Sequence, residues 1–209
     1  MAGTPASFCV VQPKRRFFVL FVVIMLTVAV RVAIGVGLLP FANFMPLTAI
    51  AFSSSACLDR RRDWLVPVVM LVASDIVLNL HYGEAAIGSW TIVSLLCLTM
   101  FALAGRRVTG RRSVLLLVCG SLACTLVFYL VSNTVCYAFS PDYPPGVAGW
   151  VQALTVGLPG YPPTWAFLRN SLIGDLSYTL LLVSVLNRQH ARAGLPAMPV
   201  WPVRGLGPA

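Results

Sequence analysis

Arg31, Asp75, Arg169 and Asp175 stand inside stretches of sequence that are otherwise apolar enough to cross a membrane. An ionisable group at membrane depth costs at least about 2.5–3.5 kcal/mol, so it persists where it is paired or where it lines a cavity that uses its charge. Two of the four are basic and two acidic, so the set can balance internally. Three kinds of chemistry are open to them. They can tie helices together as ion pairs, they can recognise a polar ligand, or Asp75 and Asp175 can act as the carboxylate pair of an intramembrane enzyme.

Further polar residues fall on shared helix faces. Asp75 and Asn79 are four apart, and Tyr129, Asn133 and Cys136 or Tyr137 follow the same spacing. Arg169 adjoins Asn170, and His81 lies at the end of the segment that carries Asp75. The segment from Ser140 to Pro163 contains Tyr143, Trp150 and Tyr161 among several prolines, and Trp165 follows it, a composition suited to a lid over an outward-facing pocket. The candidate substrate-binding set is therefore Arg31, Asp75, Asn79, His81, Asn133, Arg169, Asn170 and Asp175. Plainer roles compete: interhelical hydrogen bonding for Asn133 and Asn170, and an interfacial belt for Trp150 and Trp165.

The elements that must position these groups are helices. The chain has 209 residues, 58% hydrophobic and 10% charged, with a mean hydropathy of +0.86, far from a soluble domain. Six apolar segments run over Phe17 to Leu39, Phe44 to Cys57, Trp64 to Leu80, Ala86 to Ala104, Ser113 to Phe139 and Trp165 to Leu186. Most meet the requirement of about 20 residues for a span. The expected fold is an all-α membrane protein of six transmembrane helices, with residues 1–16 and 188–209 as cytoplasmic tails, the second of them flexible.

A net charge of +9 can suggest nucleic acid, but the basic residues follow topology. They cluster at Lys14-Arg15-Arg16, Arg60-Arg61-Arg62, Arg106-Arg107 with Arg111-Arg112, and Arg188 with Arg192, which is every second connection, while the other connections hold no Lys or Arg. The positive-inside rule then places both termini in the cytoplasm of a bacterial inner membrane. The second segment, with Pro46 and Ser53-Ser54-Ser55, is short; it is expected as an irregular helix buried among its neighbours, because broken backbone is tolerated at membrane depth only there. The first segment is longer than a signal core and contains Arg31, so it is read as retained.

The six cysteines include no C-x-x-C pair, and no H-E-x-x-H, G-x-S-x-G or carboxylate-rich metal cluster is present. His81 and Cys136 can each offer one ligand to a transition metal. One ligand is not a site, so no metal or cofactor is expected.

Asn43-Phe44-Met45-Pro46 with Ala49, Ser74-Asp75, Asn133, and Phe167-Leu168-Arg169-Asn170 with Gly174-Asp175 are the marks by which the chain resembles a family of uncharacterised bacterial six-helix membrane proteins. The plan of six helices with both ends inside also looks like the substrate-binding S components of energy-coupling factor (ECF) vitamin transporters. That likeness implies a ligand site on the outer side beneath loops, for a vitamin-like molecule such as cobalamin or another cofactor precursor. It also implies a small-residue strip on helix 1, here Ala29 and Ala33, that docks an ECF-type coupling subunit. Arg31 lies within that strip but points about 200° away from Ala29 around the helix. The leading expectation is thus a substrate-binding and uptake protein in the lipid bilayer, with no nucleic-acid partner; an intramembrane enzyme using Asp75 and Asp175, or a structural membrane subunit, are the alternatives.

Overall fold

In a computed structural model the chain is described over residues 25–39, 46–57, 65–109 and 113–201. Seven helices make up these residues, and among them there is no strand. They are α1 (Met25–Gly35), α2 (Leu47–Cys57), α3 (Leu65–His81), α4 (Ser89–Arg107), α5 (Val114–Phe139), α6 (Val147–Leu154) and α7 (Thr164–Arg192). The start of the first expected helix, the tail 1–16, and the basic clusters at 14–16, 60–62 and 111–112 lie outside the described residues.

All-helical architecture is as expected, and among the described residues two helices have by themselves the length and apolarity of a span: Ser89–Arg107 and Val114–Phe139. At 1.5 Å per residue α2 is only about 16 Å long. α7 is long but interrupted by Arg169 and Asp175.

α2 is the axis of the packing. Every residue from Thr48 to Cys57 is buried, and Ile50–Ser54 form a π-helical turn. Such a turn is rare and recurs at functional sites. The short, irregular, buried helix expected from Pro46 and the serines is what the fold contains. Two glycines let its neighbours come close. A Cβ on Gly105 of α4 would lie 2.1 Å from the Phe52 carbonyl oxygen, and one on Gly120 of α5 would lie 2.3 Å from the Phe52 ring. Phe52 therefore sits between two helices whose backbones have no side chain at the point of contact, and Leu71, Leu98, Phe101, Leu117, Val183 and Leu186 complete the core around it.

The connection from Ser140 to Pro163, expected as a loop, holds the helix α6. It is fastened to α5 by three side chains. Trp150 Nε1 donates to Thr134 Oγ1 at 3.0 Å, the Tyr129 hydroxyl donates to the Leu154 carbonyl, and the Tyr137 hydroxyl both donates to the Gly146 carbonyl at 3.0 Å and accepts from its N–H at 2.9 Å. Gly146 has φ +89°, a conformation that a side chain would oppose.

The tail differs from expectation as well. α7 continues to Arg192, and residues 195–201 fold back as a strap. Met198 enters the core between α5 and α7, and its N–H donates to Asn187 Oδ1 at 2.8 Å. Val114 and Leu115, whose amides are left without partners at the start of α5, donate to the Pro199 and Val200 carbonyls at 3.0 and 3.1 Å. Ser113 caps the next amide, that of Leu116, at 3.1 Å. Polar helix ends that need acceptors explain why a Pro- and Gly-rich segment is held in place.

Candidate functional site

The polar side chains reach the interior in rows set by helical spacing. α5 presents Ser121, Thr125, Tyr129 and Asn133, and α7 presents Ser171, Asp175 and Thr179, each row stepping by four along one face. α2 crosses between the rows and contributes Thr48 and Ser53.

Asp175 is wholly buried. Its Oδ2 accepts from the hydroxyls of Thr48 and Thr125, and its Oδ1 accepts from the Ala49 N–H at 3.0 Å. The last of these is a first-turn amide of α2, so Asp175 caps that helix from across the bundle. All three donors are neutral, and among the described residues no cationic side chain lies in ion-pair range of Asp175. A hydroxyl chain continues from its backbone. Thr179 Oγ1 donates to the Asp175 carbonyl at 2.8 Å and lies 3.1 Å from Ser121 Oγ, from whose hydroxyl it can accept, and Ser121 meets Ser53 at 2.8 Å.

Arg31 reaches from α1 to α3. Its Nη2 lies 2.6 Å from Asp75 Oδ1, while its Nη1 donates to Ser74 Oγ at 2.6 Å and to the Leu71 carbonyl at 3.4 Å. The Arg31 and Asp75 side chains are 20% and 10% exposed, so the pair is largely removed from solvent. Asp75 and Asp175 therefore answer to separate partners. Of the small-residue strip on α1, Ala29 is exposed and Ala33 is half-buried.

Between these groups lies a cavity of about 170 Å³. Of the expected site residues, Arg31, Asn133 and Asp175 line it, joined by Thr48, Thr125 and Tyr129, with the rings of Phe128 and Phe167 on its apolar side. Asn133 uses one amide hydrogen on the Tyr129 carbonyl at 2.8 Å. Asp75 is adjacent through Arg31 but does not line the cavity.

The remaining four expected residues stand elsewhere. Asn79 donates to the Ala86 carbonyl at 3.2 Å and so closes the turn after α3. His81 is exposed and lies edge-on to Tyr82, ring centres 5.3 Å apart. Arg169 is exposed, its Nε and Nη2 donating to Asn170 Oδ1 at 3.3 and 3.2 Å, with its guanidinium carbon 5.4 Å from the centre of the Trp165 ring. The four charges thus do not form one cluster. Two pair with each other, one is capped by hydroxyls in the core, and one rests on an aromatic face.

Sequence reasoning found Tyr129 and Asn133 but not Thr48 or Thr125. The signal for Thr125 was the same stripe, continued one turn towards Ser121. Thr48 had none, because only the packing of α2 against α7 makes it a neighbour of Asp175. Among the described residues no group of three His, Cys, Asp or Glu side chains is placed to hold a metal ion.

No curated protein and no solved structure matches the chain. A match to a known family extends over residues 11–197, nearly the whole length and every helix that builds the cavity. On that span, the chain belongs to the family of unknown function DUF6580.

Proposed function

We propose that the protein is a membrane-embedded small-molecule binding and uptake protein, and that the cavity enclosed by α1 to α5 and α7 is its substrate pocket. The observation that carries this reading is the convergence of Arg31, Asn133 and Asp175, from three separate helices, on one cavity with both hydroxyl and aromatic walls. A few fixed polar groups in a mainly apolar hollow are the usual make-up of a ligand site.

The membrane setting is supported by two features. Leu96, Met100 and Leu103 on α4, and Leu180 and Leu181 on α7, are between 46% and 67% exposed, a surface that water would not favour. The basic clusters also alternate along the chain, which argues for six crossings with both ends in the cytoplasm of a bacterial inner membrane. In that arrangement α2 crosses as a short helix sheltered by its neighbours.

An S-component-like role, with Ala29 and Ala33 docking a coupling subunit, is consistent with the exposed Ala29 and the inward-turned Arg31. The cavity volume narrows the substrate. It is close to the volume of about 150 Å³ that holds a benzene-sized guest, and below the range of about 300–1,000 Å³ for drug-sized ligands. A compact molecule fits this volume, whereas a corrinoid is too large for it.

The test is thermal stabilisation of the purified protein by a panel of vitamins and small metabolites, repeated with Asn133→Leu and Ser171→Phe, which fill the cavity. A hit that is lost in both fillers supports the pocket. A hit that binds equally well to both fillers removes the cavity from the function.

A further inference from the structure

The charges on the cavity wall do not balance. Arg31 reaches it already neutralised by Asp75 at 2.6 Å, with Nη1 donating to Ser74 and to the Leu71 carbonyl. Asp175 reaches it with hydroxyl and amide donors only, and among the described residues with no cation in range. A buried carboxylate is costly without a counter-charge, and hydrogen bonds from neutral donors offset only part of that cost. The start of α2 adds a partial positive charge of about one half, which also falls short of a full unit.

The rest of the lining suits the missing charge. Phe128, Phe167 and Tyr129 offer aromatic faces, which attract a cation but not an anion. The volume excludes a large guest.

Resting on the pocket reading above, we propose that the substrate is a small organic cation, an ammonium-bearing molecule whose charged nitrogen sits beside Asp175. Its body lies against Phe128 and Phe167, and its polar end meets Asn133. The ligand supplies the counter-charge that the fold omits, so binding favours cations over neutral molecules of the same shape.

The experiment compares each cation with its uncharged isostere: choline with 3,3-dimethylbutan-1-ol, and benzylamine with benzyl alcohol. Binding is followed by thermal shift and by calorimetry on the full chain in detergent or nanodiscs. In the wild type at least one cation should bind tenfold or more tightly than its isostere. In Asp175→Asn that preference should vanish, and in Asn133→Asp, which adds a second carboxylate to the wall, it should grow. If Asp175→Asn does not fold, the wild-type and Asn133→Asp comparisons decide. An isostere that binds as tightly as its cation overturns the charge assignment and leaves the pocket reading standing. No stabilisation by either pair also overturns it. Cation binding that survives unchanged in Asn133→Leu and Ser171→Phe places the ligand outside the cavity and overturns both readings.

Discussion

Thr48 and Asp175, 127 residues apart in sequence, share a hydrogen bond in the centre of the bundle, where the Thr48 hydroxyl donates to the Asp175 carboxylate. That contact fixes the start of α2 against α7 and puts a carboxylate on the wall of the cavity. The same bond is therefore part of the packing and part of the proposed site, and its energetics can be tested from either side.

Removing the donors should show how much Asp175 depends on them. Hydrogen bonds to a charged group are worth about 1.5–3 kcal/mol each, so Thr48→Val and Thr125→Val should each lower unfolding stability by that amount. The double variant should lose less than the sum if Asp175 then takes up a proton. A chemical-denaturation series in detergent measures all three; no loss in either single variant would mean that the carboxylate is satisfied by other groups.

The Arg31 and Asp75 pair should behave as a unit. Arg31→Gln or Asp75→Asn strands a largely buried charge and should cost about 3 kcal/mol. The double variant should recover part of that, since neither charge is left alone. A double-mutant cycle measures the coupling, and strictly additive losses would show that the pair contributes no mutual stabilisation.

Gly105→Ala and Gly120→Ala should differ although both add one methyl group. At Gly105 the methyl meets the backbone carbonyl of Phe52, which cannot move without shifting α2, so a loss of about 2–3 kcal/mol is expected. At Gly120 it meets the end of the Phe52 ring, which can turn aside, and Ala gains about 1 kcal/mol in helix propensity. Thermal denaturation of the two variants ranks them, and a larger loss at Gly120 would contradict this packing.

Deleting residues 196–209 should loosen the start of α5. The Val114 and Leu115 amides lose their acceptors and Met198 leaves the core. Hydrogen exchange at those two amides should accelerate at least tenfold, with a stability loss of about 2–4 kcal/mol. Unchanged exchange would show that the strap does not hold the helix end.

Single cysteines at Glu84 and Thr109, in a background lacking the native cysteines, should label from opposite sides of the membrane in oriented vesicles. Those positions flank α4, one in a connection without Lys or Arg and one beside Arg106 and Arg107. Labelling from the same side would rule out α4 as a crossing helix and, with it, the alternating topology.

Helical class, the main apolar segments and the oddity of the second segment were readable from residue type alone. Length and hydropathy act locally, and Pro46 with Ser53-Ser54-Ser55 announces an irregular helix wherever it packs. α6 was missed because it is eight residues long and depends on Tyr129, Thr134 and Tyr137 of α5 for its anchorage. The strap at 195–201 was missed because a Pro- and Gly-rich segment has no periodicity, and it is ordered by acceptors that the end of a distant helix requires.

Charges within apolar helices, and polar groups on single helix faces, follow from neighbours within a few residues and are set by residue order alone. How those charges are shared is settled by packing between helices distant in sequence. Whether Arg31 pairs with Asp75 or Asp175 depends on which helix packs beside α1, and that helix is α3, approached closely at Gly35, where a Cβ would lie 2.3 Å from Leu78. Coulombic attraction acts between any opposite charges, but an ion pair needs contact at about 3 Å, and contact is set by packing. The result is one neutral pair, and one carboxylate facing the cavity with no cation in ion-pair range among the described residues.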